Sequence, residues 1–152
     1  MRGEEVERAV SQVGGALLAC EASWMFTGSV AAALHGVPVT CHDVDVECDA
    51  QGAYLVQDVL GGTVLSPVSF SAAEHVRSHF GRTRLGPAIV EIMGGLEILL
   101  ASGTWLSPTP VAERRVFLPF GDLRVPVASR PQLALFYRRM GRPDKARQVD
   151  GE

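Results

Sequence analysis

The first fifty residues alternate between helix-like and strand-like spacing of apolar side chains. Between residues 4 and 20, apolar side chains recur every three or four positions, which predicts an amphipathic helix. The apolar run at 23–27 predicts a short buried strand, and 29–35 predicts a short helix that the Gly-Val-Pro sequence at 36–38 ends. At 44–47 polar and apolar residues alternate, which predicts a strand with one buried face.

The rest of the chain is predicted to continue as strands and helices separated by turns. Asp49 is a suitable N-cap for a helix that a Gly-Gly pair ends. The apolar strand AIVEIM carries one carboxylate, Glu91, and Ser129 is predicted to cap a helix that runs to about Met140. The other predicted segments are a helix at 50–60, strands at 63–69, 75–85 and 88–93, and a hairpin within 111–127.

Length and composition limit the classes of protein to which the chain can belong. At 152 residues, it is expected to form one domain, 1–152, with a core large enough to fold on its own. Hydrophobic residues make up 47% and charged residues 20%, which is a globular balance. The formal net charge of −3 argues against a non-specific nucleic-acid binder, since such proteins usually present a basic face.

Cysteine usage and the N-terminal sequence predict a cytoplasmic location. Cys20, Cys41 and Cys48 are odd in number, and the chain begins without an apolar segment that resembles a secretory signal. The longest apolar run, near 89–101, is interrupted by two glutamates and by glycines. No association with a membrane is therefore expected.

Asp43 and Asp45 alternate with Val44 and Val46. In a strand, both carboxylates leave one face while both valines enter the core. Two carboxylates on one face repel each other unless cations lie between them, and oxygen ligands of this kind suit hard divalent ions. The pattern therefore predicts a site for Mg²⁺ or Mn²⁺, and the competing interpretation is an ordinary solvated strand face.

The Gly28-Ser29 turn precedes these aspartates by one short predicted helix. Such a turn exposes backbone N–H groups at a helix N-terminus, where phosphate groups are stabilised. Alone, the dipeptide would be interpreted as a turn and a helix cap. Followed by Asp43 and Asp45, it predicts a phosphate-binding turn beside a metal site.

Together these residues resemble the core motif of the nucleotidyltransferase superfamily that includes DNA polymerase beta. That motif is an apolar strand, Gly-Ser or Gly-Gly, a helix, and Asp-x-Asp on the next strand, and it covers roughly residues 20–95 here. More narrowly, the chain looks like the small stand-alone bacterial members, among them AbiEii-type toxin–antitoxin proteins and antibiotic-modifying relatives. The resemblance implies an α/β (α+β) fold: a mixed, twisted sheet with flanking helices, mainly on one side.

The resemblance also implies roles for residues outside the two motifs. A third carboxylate from a later strand normally joins the Asp-x-Asp pair, and Glu91 is the candidate, although many members carry aspartate there. Arg82 and Arg84 alternate on one predicted strand and could both face the triphosphate. For Glu91 and both arginines, the alternative is an ordinary solvent-facing position.

The C-terminal tail resembles the ends of many small nucleotidyltransferases. Residues 141–145 read Gly-Arg-Pro-Asp-Lys, similar to a pattern of Gly-Arg, Lys and Asp in that group. Those relatives often carry a lysine one helical turn earlier, where this chain has Tyr137. Because the chain ends soon afterwards, the helix that commonly follows is expected to be short or missing.

The implied reaction is metal-dependent transfer of NMP from an NTP to an acceptor hydroxyl or phosphate, with release of pyrophosphate. Asp43, Asp45 and Glu91 would hold the metals, while Gly28, Ser29, Arg82 and Arg84 would contact the NTP. The acceptor stays open between tRNA, a protein side chain and a small molecule such as an antibiotic. A partner protein or a homodimer is also possible.

Two other hypotheses belong to different classes. The first is a catalytically degenerate module that keeps the fold as a binding or regulatory protein of the toxin–antitoxin type. The second is a non-catalytic metal-binding protein that uses Cys41, His42 and Cys48, although structural zinc sites usually show paired Cys or His spacings. Retained zinc after purification would identify the second, since magnesium washes out.

Overall fold

The computed structural model describes residues 3–107 and 109–151, which form five α-helices and eight strands. A 3₁₀ turn at Val111–Glu113 precedes the last hairpin. In chain order the elements are α1 (Gly3–Leu17), β1 (Trp24–Thr27), α2 (Gly28–Leu34), β2 (Val44–Cys48), α3 (Gly52–Leu60), β3 (Thr63–Ala72), β4 (Val76–Leu85), β5 (Ala88–Leu99), β6 (Trp105–Leu106), β7 (Arg115–Phe120), β8 (Leu123–Ala128), α4 (Arg130–Arg139) and α5 (Pro143–Asp150).

The strands of the described ranges form one mixed sheet. Their order is β3-β4-β5-β2-β1-β8-β7, and the short β6 pairs with β5. The pairs β2–β5 and β1–β8 are parallel, and the other pairs are antiparallel. The predicted α/β fold, a mixed sheet with flanking helices, is confirmed.

Helices cover both faces of this sheet. On one face, α1 and α3 pack over fully buried valines of the central strands, and Trp24 Nε1 donates a 3.0 Å hydrogen bond to the Leu17 carbonyl. On the other face, α2 contacts α4, and α5 packs against α4. His35, at the end of α2, makes a 2.8 Å hydrogen bond to the Ala128 carbonyl. The expectation that helices lie mainly on one side of the sheet was wrong, because the C-terminal helices cover the second face.

A bulge at Gly95 extends β5 beyond the predicted strand. The strand continues through Gly94 and Gly95 to Leu99 instead of ending near residue 93. Gly95 has φ of +63°, and between the β4 pairs at His79 and Arg77 the β5 strand uses one extra residue. An extra residue with a left-handed glycine reverses which face the following side chains occupy. The bulge therefore turns Leu96 to the face opposite that of Ile92.

Two local predictions also differ from the structure. Asp49 does not cap α3; its Oδ1 accepts a 3.2 Å hydrogen bond from the Val111 backbone N–H and so holds the 3₁₀ turn. That turn occupies the start of the predicted hairpin, so the first hairpin strand begins only at Arg115. The polar tail forms α5, which is short, as expected, and buries Ala146 and Val149.

Ser129 caps α4 as the sequence predicts. Its side chain accepts a 3.2 Å hydrogen bond from the Gln132 backbone N–H, and Pro131 lies in the first turn. Among the helices of the described ranges, none combines the length and apolar character that crossing a membrane requires.

Candidate active site

Four residues form one row across four adjacent strands. The sheet register pairs Thr27 with Asp45, Asp45 with Glu91, and Glu91 with Arg82. Paired residues on neighbouring strands lie about 5 Å apart and point to the same face. Asp43 precedes Asp45 by two residues and interacts electrostatically with both Asp45 and Glu91. The fold therefore brings the three predicted carboxylates together on one surface. We call the four paired residues, together with Asp43, the carboxylate row.

The carboxyl group of Asp45 is the electrostatic centre of this row. Burial, and then the charges of Glu91 and Asp43, raises the pKa of Asp45 to about 7. The side chains of Asp45 and Glu91 also share a hydrogen bond, which requires a proton between two carboxylates. Negative charge thus accumulates here beyond what the surrounding side chains neutralise.

Glu91 is paired with one of the two predicted arginines. Burial and the charge of Asp43 raise the pKa of Glu91, while Arg82 opposes that rise. The Arg82 Nε atom lies 3.5 Å from Glu91 Oε1 but makes no aligned hydrogen bond. Arg84 shares the strand face of Arg82 at the position opposite Ile89, and its side chain is exposed. Arg82 therefore belongs to the carboxylate row, and Arg84 lies at its edge.

Gly28 contacts the central aspartate directly. Its φ is +65°, a left-handed conformation that side chains other than glycine rarely adopt. A Cβ at this position would overlap the Asp45 carboxylate. Thr27 is the N-cap residue of α2 and makes no side-chain capping hydrogen bond, and Ser29 follows in the first turn with its side chain partly exposed. The predicted turn and the predicted metal strand are therefore one packed unit.

A pocket adjoins this unit on the side of α2. We call it the Tyr137 pocket; its volume is about 290 Å³. Ser29, Tyr137 and Lys145 line it, and the Lys145 Nζ atom lies 5.6 Å from the centre of the Tyr137 ring. Burial, and then the charge of Asp45, raises the pKa of Tyr137.

A second ion pair joins Glu47 and Arg114, and Glu47 lies two residues beyond Asp45 on β2. The side chains of Glu47 and Arg114 are 4% and 10% exposed, with 2.7 Å between Glu47 Oε2 and Arg114 Nη1. Arg114 Nε also donates a 2.9 Å hydrogen bond to the Thr109 carbonyl. Burial raises the pKa of Glu47, and the positive charge of Arg114 opposes that rise.

The carboxylate row fits a hard divalent cation by its donor chemistry. In the described ranges, no three His, Cys, Asp or Glu side chains already have the spacing of a metal site. Oxygen donors with raised pKa values and unrelieved repulsion are nevertheless suited to Mg²⁺ or Mn²⁺, which would replace the shared proton.

Cys41, His42 and Cys48 are not brought together. Cys41 is buried and His42 is exposed. Cys48 donates its S–H to the Met93 carbonyl at 3.6 Å, and burial raises the pKa of its thiol, which disfavours the thiolate that zinc requires. The geometry of the described residues therefore does not support the zinc hypothesis.

Comparison with known proteins identifies the family. Residues 9–151 match the aminoglycoside-2''-adenylyltransferase family, which accounts for nearly the whole chain. The chain belongs to this family. Its membership indicates transfer of a nucleotide, in agreement with the predicted superfamily. A comparison with curated proteins finds no match.

Two solved structures are similar to this family member over almost their full length. TM1012 from Thermotoga maritima, named as a nucleotidyltransferase, is 32% identical, with a TM-score of 0.87 over 99% of this chain and 94% of that protein. The lincosamide antibiotic adenylyltransferase LnuA, solved with lincomycin bound, has a TM-score of 0.57 over 99% of this chain and 97% of its own. At 10% identity, LnuA supports the fold alone.

Sequence reasoning assigned no role in the candidate site to Glu47, Tyr137 or Lys145. Glu47 continues the alternation of Asp43 and Asp45, so the pattern itself indicated that a third carboxylate shares their face. Lys145 and Tyr137 meet only because α5 folds back on α4. The resemblance of the tail to other small nucleotidyltransferases was the one signal that singled out Lys145.

Proposed function

We propose that this protein is a metal-dependent adenylyltransferase that moves AMP from ATP to an acceptor hydroxyl. The observation that carries the proposal is the convergence of Asp43, Asp45 and Glu91 beside the Gly28 turn, in a chain of the aminoglycoside-2''-adenylyltransferase family. Such a convergence of carboxylates is costly to the fold unless a cation and a phosphate use it.

Asp43, Asp45 and Glu91 would hold Mg²⁺, or Mn²⁺ in its place. When bound, the metal would neutralise charge on the phosphates and lower the pKa of the acceptor hydroxyl. Without it, ATP would meet three carboxylates, and repulsion would prevent binding. The metal requirement therefore follows from the charges of the site.

The Tyr137 pocket is the proposed binding site for ATP. Ser29 and the first backbone N–H groups of α2 would donate to phosphate oxygens, since no Thr27 side-chain cap occupies them. Lys145 would add a positive charge at the same wall. The β- and γ-phosphates of ATP would then lie towards Lys145, and the α-phosphate would lie beside Asp45.

The reaction would be a single in-line displacement. The acceptor oxygen forms a bond to the α-phosphorus of ATP. The bond between this phosphorus and the oxygen that bridges the α- and β-phosphates breaks, and pyrophosphate leaves with the electron pair. The acceptor proton passes to a carboxylate or to water. Glu91 is the candidate for accepting it, and Arg82 Nε lies 3.5 Å from its Oε1.

The test is ATP binding and turnover with and without metal. Calorimetry should show ATP binding in Mg²⁺ and at least a tenfold loss in chelator or in Asp45→Asn. Incubation with α-labelled ATP and a cell extract should then give a labelled acceptor and pyrophosphate. Equal ATP affinity with Mg²⁺ and with chelator would overturn the proposal. Metal-dependent binding without any turnover would favour the non-catalytic regulatory module.

A further inference from the structure

The strand β3 forms one edge of the sheet. It lies at the end of the strand order and, among the described strands, pairs with β4 alone. Pro67 and two register shifts between Val64 and Ser69 interrupt the first half of the strand, and such irregularities protect an edge from further pairing. At 69–72 the pairing with β4 is regular, so the outer backbone groups of this segment can pair with another extended chain.

The two faces of β3 differ in chemistry. On the face that carries the carboxylate row, every β3 residue paired with β4 has a hydroxyl group: Thr63, Ser66, Ser69 and Ser71. On the face covered by α3, the residues are apolar: Val64, Val68, Phe70 and Ala72. None of the 10 residues of β3 is charged. An edge strand with one apolar face and no charge has the composition of a strand that another element covers.

Helix α3 covers only the middle of this apolar face. Val68 is 7% exposed, and its backbone N–H donates a 2.7 Å hydrogen bond to Gln57 Oε1 on α3. Val64 and Phe70, on either side of it, are 44% and 59% exposed, and Phe70 is the most exposed large apolar side chain of the described ranges. The apolar face of the strand therefore extends past the helix that buries its centre.

Phe70 belongs to an ordered aromatic group with His79 and Tyr54. His79, opposite Phe70 on β4, contacts both rings edge to face, with its ring centroid 5.6 Å from that of Phe70 and 5.5 Å from that of Tyr54. The Tyr54 hydroxyl also makes a 2.8 Å hydrogen bond with His79 Nδ1. An exposed aromatic side chain that its neighbours already orient loses little entropy on binding, which is typical of an interface anchor.

The two ends of β3 lie beside opposite charges. At its start, Thr63 and Ser66 pair with Arg84 and Arg82. Its end leads into a turn with Glu74, whose side chain is 88% exposed. If two copies of β3 pair antiparallel, the acidic end of each strand lies beside the basic start of the other, and two-fold symmetry makes this contact twice. The charges therefore favour a second copy of this chain as the partner.

We propose that two copies of this protein form a dimer through antiparallel pairing of their β3 edges at 69–72. A two-fold axis perpendicular to the sheet keeps like faces together, so Phe70 pairs directly with Phe70 of the second copy. Paired side chains in an antiparallel ladder lie about 5 Å apart, close enough for the two rings to cover each other. One sheet then continues through both copies. The inference does not depend on the proposed adenylyl transfer.

The experiment compares two exposed phenylalanines on opposite edges of the sheet. Phe70→Lys places like charges across the two-fold axis and should prevent pairing, and the exposure of Phe70 allows the variant to fold. Phe117→Lys is the matched control, because Phe117 is 46% exposed on β7, the other edge strand. The segment 69–72 buries less than the roughly 800 Å² per partner of a standard interface, so the dimer should be weak. Sedimentation velocity should therefore cover a hundredfold range of protein concentration.

The parent protein and Phe117→Lys should form a concentration-dependent dimer, and Phe70→Lys should have a dissociation constant at least tenfold higher. Hydrogen exchange at the backbone amides of 69–72 should slow as the concentration rises, while exchange at 115–120 stays constant. Glu74→Arg should also weaken the dimer, most strongly at low salt. Equal melting temperatures of the two lysine variants in dilute solution would show that both fold. A parent protein that stays monomeric throughout would overturn the proposal, as would a dimer that Phe70→Lys leaves intact or that protects no amide of 69–72.

Discussion

Gly28 and Asp45 are packed so closely that no side chain fits between them. Gly28 adopts φ of +65°, and a Cβ on it would overlap the carboxylate oxygen Oδ2 of Asp45. The contact joins the turn that begins α2 to the strand that carries the aspartates. A side chain introduced at Gly28 would therefore displace the Asp45 carboxylate directly, whether or not a phosphate is bound.

Gly28→Ala is expected to abolish metal-dependent ATP binding. A left-handed alanine costs about 1–2 kcal/mol of stability, and the displaced Asp45 would no longer hold a cation in place. Gly36→Ala is the matched control, since Gly36 has φ of +87° and open space around it. Urea unfolding should show a loss of stability in both variants, larger in Gly28→Ala because its Cβ overlaps Asp45, and calorimetry should show lost binding in Gly28→Ala alone. Normal ATP affinity in Gly28→Ala would separate the turn from the site.

The metal-free protein is expected to lose stability as the pH rises from about 4 to about 7. Asp45 ionises near 3.8 in the unfolded chain, whereas in the folded protein its pKa is about 7. Between these values the folded state binds more protons, so the free energy of unfolding falls with rising pH and levels off above pH 7. Thermal melting in chelator across this range measures the slope.

Asp45→Asn should flatten that slope, and Asp58→Asn, on the exposed surface of α3, should leave it unchanged. Saturating Mg²⁺ should raise the melting temperature of the parent most at pH 7 and above, where the carboxylates have lost the shared proton. A parent protein whose metal-free stability rises steadily from pH 4 to pH 7 would contradict the buried position of Asp45.

Local sequence patterns predicted that the residues at the centre of the candidate site lie close together. Gly28, Ser29, Asp43 and Asp45 lie within one strand-helix-strand unit, where alternation and turn chemistry determine which side chains share a face. Glu91 was identifiable because a lone carboxylate in an apolar strand is costly to bury. Its pairing with Arg82 depends on sheet register, which a single strand does not encode.

The walls of the site could not be predicted in the same way. A cavity beside Glu47 exists because the Gly95 bulge turns Leu96 to the face that carries Glu47 and because α4 packs over that face. Both are contacts between segments distant in sequence. Asp49 illustrates the same limit: a side chain suited to capping the next helix instead holds the backbone of Val111.

Glu91→Gln is expected to stabilise the metal-free protein and to slow adenylyl transfer by orders of magnitude. The substitution removes a charge that repels Asp43 and Asp45, but it also removes a metal ligand and a proton acceptor. ATP affinity should fall less than in Asp45→Asn, because both aspartates remain. A melting curve in chelator and a transfer assay on the same variant measure these effects. An unchanged rate would remove Glu91 from the site.

The Glu47–Arg114 pair is expected to show strong coupling in a double-mutant cycle. Removing one partner of a buried ion pair leaves an unpaired charge and costs about 3–5 kcal/mol. Glu47→Gln and Arg114→Met should therefore each destabilise the protein, and the double variant should lose much less than the sum. Urea unfolding gives the four free energies. Additive losses would indicate that the two charges do not depend on each other.

Lys145→Met is expected to weaken ATP binding by about tenfold, which corresponds to about 1.4 kcal/mol. Lys145 lines the Tyr137 pocket together with Ser29, so its charge would act on the phosphates rather than on the base. The loss should therefore be larger for ATP than for AMP, which lacks the β- and γ-phosphates. Arg147→Met is the matched control, because Arg147 carries the same charge on an exposed position of α5. If both substitutions weakened ATP binding equally, the effect would come from the overall charge of the protein. The Tyr137 pocket would then not be the ATP-binding site.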